Sequence, residues 1–166
     1  KTVFIGTLSF VTIDNNTINT CRFGVFIGGP SNNPASNIQL TRNTIGSGVQ
    51  ASGIERQGVQ VQYADNVLIE GNEVMGFPNG TAVNQVIAGI YMVSGTNIKI
   101  LSNKVHDWKP LNTVLGANGV GIVYATDAPT NGEISNNAVY NITFPGSTNN
   151  PVTGGNATGI LISNNV

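Results

Sequence analysis

The sequence predicts an all-β fold, a parallel β-helix solenoid of about five coils with three short strands in each. Three observations lead there. A nine-residue phrase recurs five times, as FVTIDNNTI (10–18), NIQLTRNTI (37–45), NVLIEGNEV (66–74), NIKILSNKV (97–105) and NGEISNNAV (131–139). A glycine phrase alternates with it, as FGVFI (23–27), QGVQV (57–61), AGIYM (88–92), NGVGI (118–122) and TGILI (158–162). No stretch keeps a 3.6-residue apolar period over the ten or so residues that a helix needs.

Each coil is read in order from its glycine phrase. Alternating apolar residues after Gly24, Gly58, Gly89, Gly119 and Gly159 predict the first strand, entered through glycine. The nine-residue phrase predicts the second strand. Its first apolar position holds Val11, Ile38, Val67 and Ile98, with Gly132 in the last copy, and its second holds Ile13, Leu40, Ile69, Ile100 and Ile134. These positions alternate, so one face is buried. The third apolar position, Ile18, Ile45, Val74, Val105 and Val139, comes five residues after the second and breaks the alternation. The chain must therefore turn a corner and start a third strand. The corner falls at or near Asn16, Asn43, Asn72, Asn103 and Asn137, because asparagine tolerates the left-handed region and its amide bonds nearby backbone. Stacked coils make these five residues a column, and an amide ladder is expected along it.

The spacing between successive corner asparagines grows from 27 to 34 residues while the apolar skeleton stays fixed, so insertions belong in loops. A period of 20–50 residues signals a solenoid, propeller or array. Leucine-rich repeats would place Leu where this chain has Ile and Val, and a propeller blade needs four longer strands. Coils stacked about 4.8 Å apart leave like residue upon like residue. That is why the phrase repeats.

NVLIEGNEV and NIKILSNKV resemble the repeats of right-handed parallel β-helix proteins, the pectate-lyase-like superfamily, and the resemblance covers residues 10–166. It implies a right-handed coil. It leaves activity open, because the superfamily includes polysaccharide lyases, polygalacturonases, mannuronan epimerases, phage tailspikes, adhesins and copper-maturation proteins. Its enzymes place carboxylates, Arg, Lys or His on one outer face of neighbouring coils.

Composition narrows the classes. The 166 residues suit a single domain, 1–166. Only 9% are charged, against about 25% in an average soluble domain, so polarity rests on Asn, Thr, Ser and Gly. A net charge of −1 with scattered Lys and Arg gives no footprint for nucleic acid, and no apolar run reaches the roughly 18 residues of a membrane span. Cys21 has no partner for a disulfide and is expected to pack as a small hydrophobe. One His and one Cys make no metal site, and no nucleotide or cofactor motif is present. A Cys-poor, Asn/Thr/Gly-rich chain fits a secreted or cell-surface protein, bacterial or phage.

The search for chemistry finds little. One outward column reads Asp14, Thr41, Glu70, Leu101, Ser135, which puts two carboxylates two coils apart, or about 10 Å, near the limit for an inverting glycosidase pair. Arg42 is expected to pair with Glu70, and Asp65 to close an Asx turn. His106, Asp107 and Trp108 form the richest polar and aromatic cluster, a candidate for glycan binding or for acid–base chemistry. The column Cys21, Gly48, Phe77, Trp108, Ile142 is mostly apolar and favours packing for Trp108, while His106 reads as a surface residue. No catalytic residue is assigned.

The favoured reading is an extracellular structural or adhesive module. Strand-like sequence at both ends, KTVFIG and GILISNNV, suggests either a piece of a longer β-helix or copies stacked head to tail into a filament. The partners expected are copies of the chain through open coil ends, or polysaccharide. The alternative is a polysaccharide lyase, hydrolase or epimerase, or part of one, or a glycan-binding module.

Overall fold

The structure is a computed structural model that describes residues 3–5, 9–76, 86–109, 119–125, 131–143 and 157–163. The strands are β1 (Val3–Ile5), β2 (Ser9–Asp14), β3 (Thr17–Ile18), β4 (Cys21–Gly28), β5 (Ala35–Thr41), β6 (Thr44–Ile45) and β7 (Ile54–Glu70). They continue as β8 (Glu73–Gly76), β9 (Ile87–Leu101), β10 (Lys104–Trp108), β11 (Gly119–Ala125), β12 (Glu133–Ser135), β13 (Ala138–Tyr140) and β14 (Ala157–Ser163). A single turn of 3₁₀ helix, Gln50–Ser52, is the one helix among the described residues.

All pairings are parallel and connect one coil with the next. β1, β4, β7, β9, β11 and β14 stack in that order along the first face. β2, β5, the second half of β7, the second half of β9 and β12 make the second face. β3, β6, β8, β10 and β13 form a separate five-stranded sheet, the third face. Each of those five strands closes one circuit, and β14 opens another. The expected three short strands per coil hold for the first two circuits. In the next two, β7 (17 residues) and β9 (15 residues) run unbroken through the first corner. Their register shifts at that corner, between Val61 and Gln62 and again between Gln62 and Ala64, and the pairing then resumes from Ala64↔Gly95 to Glu70↔Leu101.

The core is a set of columns. Val11, Ile38, Val67 and Ile98 stack in register, as do Ile13, Leu40, Ile69, Ile100 and Ile134. On the third face Ile18, Ile45, Val74, Val105 and Val139 do the same. The central members of each column are fully buried.

The glycine column explains how tightly the first face lies on the third. A Cβ at Gly58 would stand 2.3 Å from Val74 Cγ1, and one at Gly89 would stand 2.4 Å from Val105 Cγ1. Only glycine lets the two backbones approach so closely. The register also corrects the sequence alignment at the fifth coil. Val120 pairs with Ala88 and Ile122 with Ile90, so Gly121, and not Gly119, continues the column. The phrase there is VGIVY (120–124). A slip of two residues keeps every side chain on its face, so alternation cannot detect it.

At the second corner the asparagines stack. Oδ1 of Asn43, Asn72, Asn103 and Asn137 each accepts two hydrogen bonds from the asparagine one coil earlier. One comes from its backbone N–H at 2.9 Å and one from its Nδ2 at 2.9–3.1 Å, Asn16 being the first donor. The Nδ2 groups of Asn43, Asn72, Asn103 and Asn137 also donate to the carbonyls of Ile13, Leu40, Ile69 and Ile100 at 2.8–2.9 Å. Asn43, Asn72 and Asn103 are buried, so these bonds satisfy backbone that water cannot reach. The left-handed residue is not the ladder asparagine itself. It is the residue before it, Asn15, Arg42, Gly71, Ser102 or Asn136, with φ of 53–64°. The turn and the amide ladder are thus carried by two neighbouring positions.

Candidate functional site

The His106 cluster lies on the outer side of the third face. β10 pairs with β13 so that His106 sits beside Tyr140, and the two rings stack at 4.9 Å between centroids and 2° between planes. His106 Nδ1 is 2.8 Å from Asp107 Oδ2, and Nε2 is 3.0 Å from Glu73 Oε1 on β8. Lys109 Nζ is 2.8 Å from the other oxygen of Asp107. His106 is therefore buried rather than a surface residue, because Tyr140 covers one ring face and carboxylates cap both nitrogens. The Lys109 ammonium and the His106 ring hold the Asp107 carboxyl well below the usual carboxylate range, at about 2. Both ring nitrogens are engaged, and the cluster fastens three successive coils together.

Trp108 does not join that outer cluster. It is fully buried in the core, where the β10–β8 register shifts between Val105 and Trp108 and sets Trp108 against Gly76. The expected neighbour Phe77 lies outside the described residues, while Ile142 packs against the same core. Cys21 is a free, buried thiol, and burial pushes its pKa up. Among the described residues no group of three His, Cys, Asp or Glu side chains is placed to hold a metal.

The open groove is elsewhere, on the outer side of the second face, with a volume of about 630 Å³. Its floor is two outward columns that the strand pairing keeps in register. One runs Thr12, Gln39, Leu68, Lys99, and the other is Asp14, Thr41, Glu70, Leu101, of which Glu70 and Leu101 line the groove. Asn37 and Asn66 line one rim, joined by a 2.7 Å hydrogen bond from Asn66 Nδ2 to Asn37 Oδ1. Asp65, expected to close a local turn, instead accepts from the Thr96 hydroxyl and, at 2.9 Å, from Asn97 Nδ2 on the next coil.

The two carboxylates singled out in the sequence have different surroundings. Asp14 accepts from the Thr41 hydroxyl at 2.6 Å and from the Arg42 guanidinium, and these bonds hold its carboxyl below the usual range. Arg42 thus pairs with Asp14 on the preceding coil, not with Glu70 on the next. Glu70 stands in the groove one coil beyond Thr41 and is exposed.

Phe10 is the residue that sequence reasoning missed. It is 83% exposed, lines the groove and holds φ at 62°. Strand pairing on either side puts it in the column of Asn37, Asn66 and Asn97, which share the left-handed conformation. Asparagine suits that backbone, whereas a phenylalanine there costs roughly 1–2 kcal/mol. The signal was present: the phrase begins with Asn in every copy except FVTIDNNTI.

The profile of the family described as right handed beta helix region matches residues 2–166. No curated protein and no solved structure matches the chain. The parallel strands stacked coil on coil and a family match over nearly all of the sequence agree, and the chain belongs to the right-handed β-helix family.

Proposed function

We propose that the chain is an extracellular adhesive module that holds an extended, neutral polysaccharide in the groove of its second face without cleaving it. The observation that carries this reading is Phe10, an exposed aromatic ring kept in a strained backbone conformation at the groove, where the equivalent coils have asparagine. Strain of that kind persists when the surroundings over-determine it and often marks a functional site. An aromatic face suits the C–H face of a pyranose, and the amide and hydroxyl groups of Gln39, Asn37 and Thr12 suit its hydroxyls. A polymer lying along the coil axis meets an equivalent position about every 4.8 Å, close to the advance of a sugar chain per residue. Among the described residues Glu70 has no second carboxylate beside it in its column, since Asp14 is two coils away and tied to Thr41 and Arg42. That favours holding over hydrolysis.

The test is a panel of neutral polysaccharides scored both for binding and for new reducing ends. Binding without new ends is expected, and Phe10→Asn should weaken it about ten-fold, the equivalent of one stacked ring. The same substitution should raise stability by about 1 kcal/mol, since it relieves the backbone. Turnover of the bound polymer, or binding that Phe10→Asn leaves untouched, would overturn the reading.

A second reading, self-association through coil ends, is favoured by β14, where Ile160 is 43% and Ile162 71% exposed. Both continue core columns, above Ile122 and Tyr124 respectively. A strand from another copy laid on β14 in register would cover them. Light scattering over a concentration series should then show growing mass that Ile162→Ser suppresses, and constant mass would end that reading.

A further inference from the structure

We propose that Arg22 and Arg56, with the Phe23 ring they share, form a site for a tetrahedral oxyanion of the phosphate class on the outer side of the first face. The register between β4 and β7 breaks at this point. Cys21 pairs with Ile54 but Phe23 pairs with Gln57, so Arg22 faces the extra residue that Glu55 and Arg56 supply between them. A bulge of this sort re-aims side chains. Here it brings the Arg22 guanidinium within 5.9 Å and the Arg56 guanidinium within 5.3 Å of the Phe23 ring centre.

Among the described residues neither arginine has a carboxylate within ion-pair distance. The ion pairs among the described residues use Arg42, His106 and Lys109, and Glu55, next in sequence to Arg56, joins none of them. Two polar atoms at the same place lack partners. Arg56 Nε is buried without an acceptor. Gln57 is 3% exposed and its Nε2 donates to the Val86 carbonyl at 2.7 Å, yet its Oε1 is buried without a donor. Two like charges on adjacent coils repel, and no carboxylate among the described residues forms an ion pair with either. A dianion matches both, and guanidinium forks fit oxyanions with paired N–H bonds.

The test is an NMR titration of the chain with inorganic phosphate, and separately with sulfate, at ionic strength held constant with chloride. Saturable shifts of the Arg22 and Arg56 Nε–H signals are expected with phosphate and with sulfate, and are expected to be absent with chloride. Arg56→Gln should weaken phosphate binding at least ten-fold. Arg22→Lys/Arg56→Lys keeps both charges and the fold but removes the forks, and should weaken it nearly as much. Glycerol 3-phosphate distinguishes the source: affinity above that of free phosphate points to a phosphate ester, and affinity below it to the free ion, and both support the site. Shifts that do not saturate, or phosphate binding that survives both variants, would overturn the proposal and leave the arginines as a cover for Phe23.

Discussion

Asn72 shows how much one side chain can decide in this fold. Its oxygen accepts from both the backbone and the side chain of Asn43, and its Nδ2 donates to Leu40 and to Asn103. Asn72→Ala would strand the Asn43 N–H and the Leu40 carbonyl on the preceding coil, each worth about 1–3 kcal/mol, so a loss of about 3 kcal/mol in urea unfolding is expected. Asn16→Ala, at the exposed end of the ladder, should lose less than about 1 kcal/mol. Equal losses at the two positions would mean that burial does not set the value of a rung. Asp107 gives a second prediction. Its folded pKa of about 2 lies below the ordinary 3.8, so its contribution is complete above 3.8 and disappears as the pH falls through about 2. The stability gap between the protein and Asp107→Asn should therefore be constant above pH 4 and shrink as the pH approaches 2. A gap unchanged by acid would rule out the paired carboxylate as its source. The asparagine ladder was legible residue by residue, because each copy of the phrase carries Asn at its seventh position. The surroundings of His106 were not, because Glu73 and Tyr140 reach it from two other coils.

At the level of the strand, alternation is informative and incomplete. It placed every core column on its correct face. It could not fix the fifth coil, where Gly119 and Gly121 give patterns two residues apart, and only hydrogen bonding between β9 and β11 selected Gly121. The role of the glycine column was likewise hidden until the first and third faces were seen in contact. Gly89→Ala would drive a Cβ to 2.4 Å from Val105 Cγ1 and 2.8 Å from the Gly121 carbonyl. A loss of about 1–3 kcal/mol is expected, the usual effect of overpacking. Gly48, with open space around its would-be Cβ, serves as the control, and Gly48→Ala should unfold at nearly the same urea concentration as the parent.

For the molecule as a whole, cohesion comes from apolar columns and amide bonds, with few charges. The ion pairs among the described residues sit at two places, Arg42 with Asp14 and the group around His106. Raising salt from about 0.05 to 0.5 M should leave the urea midpoint almost unchanged, since exposed pairs contribute at most about 1 kcal/mol. A large shift would point to a long-range field that this charge distribution does not predict.

The sequence by itself determined the solenoid, its buried columns and the corner that carries the ladder. Each coil must offer its neighbours the same face, and that demand is written as a repeat. Tertiary structure alone decided which coil Arg42 leans toward, the two-residue register of β11, the burial of His106, and the groove beside Phe10. Those outcomes depend on contacts between coils whose spacing in sequence varies, and on side-chain directions at corners, where alternation no longer applies.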